Sequence, residues 1–305
     1  MKSRILALLR EKGAVISGEC ISDVLGISRV SVWKHIRKLQ ELGYPIRSSA
    51  KGYQMDGDFD ALYPWEFSHQ AYKIYFHQQL PSTMDAALEL ARNGCDAFTV
   101  VIAEQQAKGR GRLNRVWHST KGGLYFTLVL RPEISPVFLF QINFAVALCI
   151  VQMLNELFGI EAGIKWPNDI LVGKKKICGM LSQMEAEAEH VSFLNVGIGL
   201  NVNNLPSAVE PGAISIFEIL GTKVARRKIL SDFLARFEAF LNQNDIGNIL
   251  VQWRQCSLTL GRTVRVVTTN NVVEGRAIDI DENGGLTIRL ADGTEKTVVY
   301  GDCFH

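Results

Sequence analysis

Arg110, Arg112 and Arg115, interleaved with Gly109 and Gly111, fall within seven residues of one another. Glycines let backbone amides approach a ligand closely, and guanidinium groups pair with several anionic oxygens at once. That combination suits a small substrate carrying both a carboxylate and phosphates. The stretch runs from Glu104 to Trp117, directly after an apolar run, Thr99 to Ala103, that reads as a buried strand. So many charges are not buried unpaired, which makes the stretch a loop between two strands. A basic hairpin tip without a ligand is the plain alternative.

Two other places carry chemistry. In Leu80-Pro-Ser-Thr-Met-Asp85, Ser82 or Thr83 caps a helix over Met84 to Arg92 that stops at Asn93-Gly94. The free amides at such a helix start form a site for an anion or a polar ligand, unless the serine is simply a cap. Lys165 sits in an apolar run, Ile164 to Val172, so it is expected to point into a pocket; a lysine snorkelling to the surface is the alternative. Lys174-Lys-Lys176 reads as a solvated hairpin tip.

Several chemistries are excluded. The Gly197-Ile-Gly-Leu-Asn201 run fails the dinucleotide fingerprint because residue 202 is Val. Gly173-Lys174 is followed by Lys, so no P-loop exists, and neither HExxH nor GxSxG occurs. The six cysteines are scattered without a CxxC pair, as in reduced cytoplasmic proteins without structural zinc. No signal peptide is expected before the first helix. The most membrane-like segment, Val137 to Leu157, is interrupted by Gln141, Asn143, Gln152, Asn155 and Glu156, so a soluble protein is expected.

The elements around these residues follow from periodicity and punctuation. A strand over Tyr72 to Phe76 precedes the capped helix, and another over Gly123 to Leu130 follows the arginine loop. Ser135-Pro136 starts a long buried helix ending at Gly159. Ile177 to Met184 and Val191 to Val202 look like paired strands, and Arg226 to Leu241 like an amphipathic helix. In the tail, alternating runs at Val264–Val267, Val273–Ile280, Leu286–Leu290 and Lys296–Tyr300 are separated by turn residues.

Charge singles out the amino terminus. Residues 1–52 hold ten Lys/Arg against four Asp/Glu, whereas the whole chain carries only +2. A basic head on a slightly acidic body points to a polyanionic partner. Ile5, Leu8 and Leu9 mark a first helix ended near Gly13; Ser17 caps a second with Ile21, Val24 and Leu25. Gly26-Ile27 turns the chain, and Ser28 caps a third helix through Leu42. Val32, Ile36 and Leu39 face inward on it, leaving Arg29, Ser31, Lys34 and Arg37 outward. Extended runs around Ser48 to Gly52, with Lys51, complete a winged helix-turn-helix. Arg29, Ser31 and Lys34 are placed to reach base edges, while lysines and arginines here supply affinity through phosphates. A three-helix protein-binding module is the alternative. His35 is read as partly buried or phosphate-contacting, not as a metal ligand.

Together these motifs resemble biotin protein ligases, of the type that carries an amino-terminal winged helix and also represses the biotin operon. The resemblance rests on Ser82-Thr-Met-Asp85, Gln106-Ala-Lys-Gly-Arg-Gly-Arg112, Lys165-Trp-Pro-Asn-Asp169, Lys176-Ile-Cys-Gly-Met-Leu181 and Gly197-Ile-Gly-Leu-Asn201, in that order over the whole chain. It implies an α+β protein with a winged helix-turn-helix at 1–60, a mixed-sheet catalytic domain at 61–255 and an SH3-like barrel at 256–305. It implies ATP-dependent formation of biotinyl-5'-AMP, assisted by Mg²⁺, and transfer of biotin to a lysine of a carrier protein. Ser82, Thr83, Asp85, Gln106 and Lys165 would line the biotin pocket, under a closing loop with Arg110, Gly111 and Arg112. Arg110, Arg112 and Lys165 would carry catalysis; Arg112, Arg115, Trp117, Asn168 and Asn201 would meet ATP and the adenylate. Arg29, Ser31, Lys34, Arg37 and Lys51 would meet operator DNA as a homodimer formed with adenylate. Asn114 stands where the family loop has glycine; asparagine tolerates left-handed backbone better than most residues. A lipoate-type ligase and a non-catalytic biotin-sensing transcription factor are the competing readings.

Overall fold

The computed structural model describes residues 1–67, 73–133, 139–187, 190–243, 246–269, 271–281 and 283–305. They form two compact units, Met1–Ala71 and Tyr72–His305, each with its own core.

In the first unit, helix α1 (Lys2–Lys12) ends at Gly13, whose φ of 57° only glycine adopts without strain. Helix α2 (Gly18–Leu25) is capped by Ser17, which accepts from the Cys20 amide, and ends on left-handed Gly26. Helix α3 (Arg29–Glu41) starts at Ser28, which accepts from the Ser31 amide. Val32, Ile36 and Leu39 of α3 are fully buried with Ile5, Leu9 and Ile21, as their spacing demands, whereas Val24 of α2 is exposed. Strands β1 (Ile46–Ser49) and β2 (Gly52–Met55) pair antiparallel as the wing. The unit extends past residue 60. Ala61, Tyr63 and Trp65 pack into the same core, and Glu66, nearly fully buried, takes Arg10 at 2.9 and 3.1 Å and the Tyr44 hydroxyl at 2.6 Å. Residues 59–65 are therefore part of this core, because their aromatic side chains have apolar area to bury.

The second unit is built on a seven-stranded mixed sheet. Its strands are β3 (Ile74–Leu80), β4 (Thr99–Gln106), β5 (Leu124–Leu130), β6 (Ala162–Lys165), β7 (Asp169–Val172), β8 (Lys175–Glu187) and β9 (His190–Leu200), in the order β3-β4-β5-β9-β8-β7-β6. The run expected over Ile164 to Val172 is thus two strands joined by a turn. Helix α4 (Thr83–Arg92) covers one face, where Ala87 and Ala91 pack on Val101, Val129 and Phe193. Helix α7 (Arg226–Gln243), which follows the short α6 (Ile216–Leu220), covers the other, with Phe233 edge-on to Phe126 of β5. Beside it, packed on β6, lie α5 (Leu139–Phe158) and α8 (Ile246–Cys256), joined by the stacked rings of Phe144 and Trp253. The expected start of α5 at Ser135-Pro136 lies outside the described residues. By length and composition α5 passes the test for a membrane span; two-thirds of its apolar window is buried inside the protein, as in a core helix.

The tail forms five strands, β10 (Thr263–Val267), β11 (Val272–Ile280), β12 (Leu286–Arg289), β13 (Glu295–Val298) and β14 (Asp302–Phe304), in the order β13-β12-β11-β10-β14. The ladder is open: β13 and β14 do not pair with each other among the described residues, where a closed barrel was expected. The tail and the large sheet fall within one compact unit. Ile164 bridges Ser257, and buried Trp166 is held by the Thr259 hydroxyl at 3.0 Å and the Gly284 carbonyl at 3.2 Å.

Candidate active site

The arginine loop, residues 107–123, connects adjacent antiparallel strands β4 and β5 and folds back on itself. The Gly111 amide donates to the Arg115 carbonyl at 2.8 Å, and the Trp117 amide to the Gly109 carbonyl at 2.9 Å. Gly109 is required by this crossing, since a Cβ there would lie 2.4 Å from the Trp117 carbonyl oxygen. The non-glycine residue of the loop in the left-handed region is Leu113, φ 52°, not Asn114. Both ends of the loop are anchored. At the root, Arg226 reaches Glu104 with two 3.0 Å bonds and the Gly123 carbonyl at 2.8 Å, while Glu104 also accepts from the Gly122 amide at 3.2 Å.

Beneath the loop lies a cavity of about 290 Å³. At one end is a buried polar chain, made possible because α4 starts where β4 ends. Thr127 donates to the Thr83 hydroxyl at 2.9 Å, and Thr83 donates to Gln106 Oε1 from its amide at 2.8 Å and its hydroxyl at 3.1 Å. Gln106 Nε2 passes the bond on to Ser119 Oγ at 2.8 Å. Ser82 caps α4 from within the same cavity, its hydroxyl accepting from the Met84 amide.

At the other end cations collect. Half-buried Arg112 donates to Asn168 Oδ1 at 3.2 Å, and Arg115 pairs with Asp302 of β14. Burial lowers the Arg112 pKa, opposed by Asp302 and Asp169, so its charge lacks full solvation and favours an arriving anion. Lys176 pairs with Asp169 at 2.7 Å and lies 5.2 Å from the Trp117 ring centre. The indole of Trp117 rests on a floor made by Gly179 of β8 and Gly199 of β9, direct partners in the ladder. A Cβ on Gly199 would lie 2.4 Å from Trp117 Nε1, a buried nitrogen with no hydrogen-bond partner. Asn201 lines the cavity beyond, accepting from Asn204 Nδ2 at 3.0 Å.

Of the residues singled out in the sequence, Ser82, Thr83, Gln106, Arg110, Gly111, Arg112, Arg115, Trp117, Asn168 and Asn201 line this one cavity. Two expected residues do not line it. Asp85 is at the exposed rim, paired with Arg110. Lys165 closes the edge strand β6 and reaches towards the tail, its ammonium 6.0 Å from the Phe304 ring centre. An edge-strand end leaves an ammonium a route to water, so no pocket is needed to accommodate it. Lys176, read from sequence as part of a solvated tip, is the lysine in the cavity.

A family model described as Biotin/lipoate A/B protein ligase family matches residues 75–203, with an HTH domain at 2–54 and a Biotin protein ligase C terminal domain at 259–305. The chain is 34% identical to Bifunctional ligase/repressor BirA of Bacillus subtilis (strain 168), over 97% of this chain and 96% of that protein. The chain belongs to the biotin protein ligase family. Among its ligase relatives, the Biotin–[acetyl-CoA-carboxylase] ligase of Mycobacterium tuberculosis is 33% identical over 74% of this chain and 86% of its own length. A solved structure, the biotin protein ligase from Aquifex aeolicus in complex with biotin and ATP, aligns with a TM-score of 0.66 at 28% identity. It covers 76% of this chain and 97% of the other.

Mg²⁺ was expected with ATP. Among the described residues no three His, Cys, Asp or Glu side chains cluster to hold a metal. Mg²⁺ commonly binds through one or two carboxylates plus substrate phosphates, and Asp169, Glu210 and Asp302 line the cavity. That donor set fits a metal arriving on the nucleotide.

On the head, Arg29, Lys34, Arg37 and Lys51 are exposed. Ser31 is half-buried and bonded to the Ser28 cap through its amide at 3.2 Å and its hydroxyl at 3.0 Å.

Proposed function

We propose that this protein joins biotin to AMP from ATP, transfers biotin to a lysine of a biotin carboxyl carrier protein, and represses transcription in response to biotin. The observation that carries the ligase reading is the meeting of Ser82 and the Thr83–Gln106 polar chain with Arg112, Arg115 and Lys176 in one cavity. In this reading the polar end orders the ureido group of biotin, which needs both donors and acceptors. Its carboxylate is then presented to the cationic end. There the carboxylate oxygen attacks the α-phosphorus of ATP, the P–O bond to pyrophosphate breaks, and a mixed anhydride forms. Like charges must be neutralised and aligned, which Arg110, Arg112, Arg115 and Lys176 do without a protein nucleophile. Asp169 holds the Lys176 ammonium in place. Asp169, Glu210 or Asp302 would hold Mg²⁺, which would add to the neutralisation of the phosphates. Trp117 and Asn201 take the nucleotide side, and the loop excludes water from a hydrolysable adenylate. The carrier lysine amine then attacks the acyl carbon and AMP leaves.

The repressor reading rests on the capped helices, the wing and the exposed cations of the head. We read the adenylate-bound protein as a cytoplasmic homodimer presenting two winged helices to a palindromic operator, and the tail as an SH3-like element that brings Asp302 to the cavity. The lipoate-type ligase and the pure biotin sensor remain the rivals. ATP–pyrophosphate exchange with biotin, with lipoate and with no acid separates the three. Exchange with biotin alone is expected; exchange with lipoate alone changes the substrate, and no exchange leaves only the sensor. Sedimentation with and without biotin plus ATP tests the dimer, which fails if the mass is unchanged.

A further inference from the structure

Helix α3 buries Val32, Ile36 and Leu39 completely, yet leaves Val30 62% and Trp33 46% exposed. The two lie three residues apart, on the face that also carries Arg29, Lys34 and Arg37. An indole half in water forgoes burial that the other large apolar side chains of this helix obtain. The ring is nonetheless held: the Arg37 guanidinium lies over it, 5.0 Å from the centroid. Val30 and Trp33 line a groove bounded by the start of α2 and by the wing tip, Ser49 to Tyr53. Arg29 and Lys51 also line it, against one carboxylate, Glu19. A partner for this face must offer negative charge along its edges and small apolar features between them. The major groove of DNA does so, since phosphates flank it and thymine 5-methyl groups project into it. Ser31 is engaged in the cap of its own helix, which leaves Val30 and Trp33 as the uncharged readers on this face beside Arg29 and Lys34.

We propose that Trp33 and Val30 read thymine methyl groups in the major groove and set the base preference of each half-site. The proposal rests on the operator-binding reading of the head and sharpens it. A held aromatic ring loses little freedom on binding, so the discrimination is pre-organised.

The test is selection of random duplex DNA by the full chain in the presence of biotin and ATP, followed by replacement of each selected thymine with deoxyuridine. That swap keeps base pairing and removes only the methyl group. At the position under Trp33, the parent is expected to bind the uracil form about fourfold more weakly, the worth of one buried methyl. Trp33→Ala is expected to bind both forms alike, Trp33→Phe to keep most of the preference, and Lys51→Ala to weaken both forms equally. An unchanged circular-dichroism melt of Trp33→Ala checks that the head stays folded. If no sequence is enriched, the operator reading fails and takes this inference with it. If a sequence is enriched but deoxyuridine is neutral, or Trp33→Ala still discriminates, the inference alone is overturned. Selection of a protein partner on this face, without DNA, would overturn it in favour of a protein-docking surface.

Discussion

The pair between Arg226 and Glu104 ties helix α7 to the root of the arginine loop, and removing half of it makes a sharp prediction. The two side chains are only 4% and 10% exposed, so solvent screens them little. In Arg226→Met, Glu104 keeps one donor, the Gly122 amide at 3.2 Å, and the Gly123 carbonyl is deprived of its guanidinium donor. Breaking a buried pair from one side costs about 3–5 kcal/mol, because the remaining charge is stranded. For a unit of this size each kcal/mol lowers Tm by about 2–4 °C, so a fall of roughly 6–20 °C is expected. The assay is thermal unfolding of the full chain, read in the transition that biotin plus ATP raises. Glu104→Gln combined with Arg226→Met removes both charges and is expected to recover at least half of the loss. A fall under about 2 °C for Arg226→Met, or a double variant no more stable than the single, would refute a stranded charge as the cause.

Other outcomes follow from the same geometry. Lys176→Ala is expected to lower biotin-dependent pyrophosphate exchange about 100-fold, the scale of one missing charge-stabilising group, and Lys165→Ala at least tenfold less severely; equal losses would contradict the placement of the two lysines. Arg112→Ala is expected to release free biotinyl-AMP, detected by mass spectrometry of the filtrate; retention as tight as in the parent argues against a retaining role. Burial pushes the thiol of Cys303 up to about 11 and that of Cys149 to about 12, and raises Cys178 further still. All three therefore stay protonated below pH 9, and iodoacetamide at pH 7.5 should leave them intact in the folded protein; rapid alkylation of Cys303 would show the tail opens readily. For operator DNA, the slope of log K against log salt should shrink by about 0.9 for each phosphate no longer neutralised, so Lys51→Ala changes it by nearly two in a dimer. An unchanged slope would remove the wing lysine from the phosphate-binding surface.

Local rules carried the head almost unaided. Ser17 and Ser28 act through hydrogen bonds within a turn, and Gly13 and Gly26 through their left-handed backbone, so neighbouring residues suffice to read them. The same holds for Ser82 and for the arginine loop, whose composition forbids any other place. What stayed hidden depends on register and distance. In the ladder Ile170 faces Cys178 while Leu171 faces Lys176, so Ile177 is an extra residue that re-aims its neighbours. Simple alternation through Lys174-Lys-Lys176 misses that shift, and with it the lysine that meets Asp169. Asp302 is 187 residues from Arg115 and carries no local sign of the pairing. Lys165 misled for a related reason: an apolar run does not tell that its strand lies at a sheet edge.

The glycine floor under Trp117 bears on how such a protein is inhibited and how it escapes. At positions 179 and 199 the surface is bare backbone, and even alanine would put an atom within 3.0 and 2.4 Å of the indole. There is no smaller residue to fall back on and no larger one that leaves the ring in place. A flat aromatic drug that displaced the indole would therefore rest where resistance has no cheap step. A substitution at either glycine that evicts the drug also evicts the protein's own tryptophan.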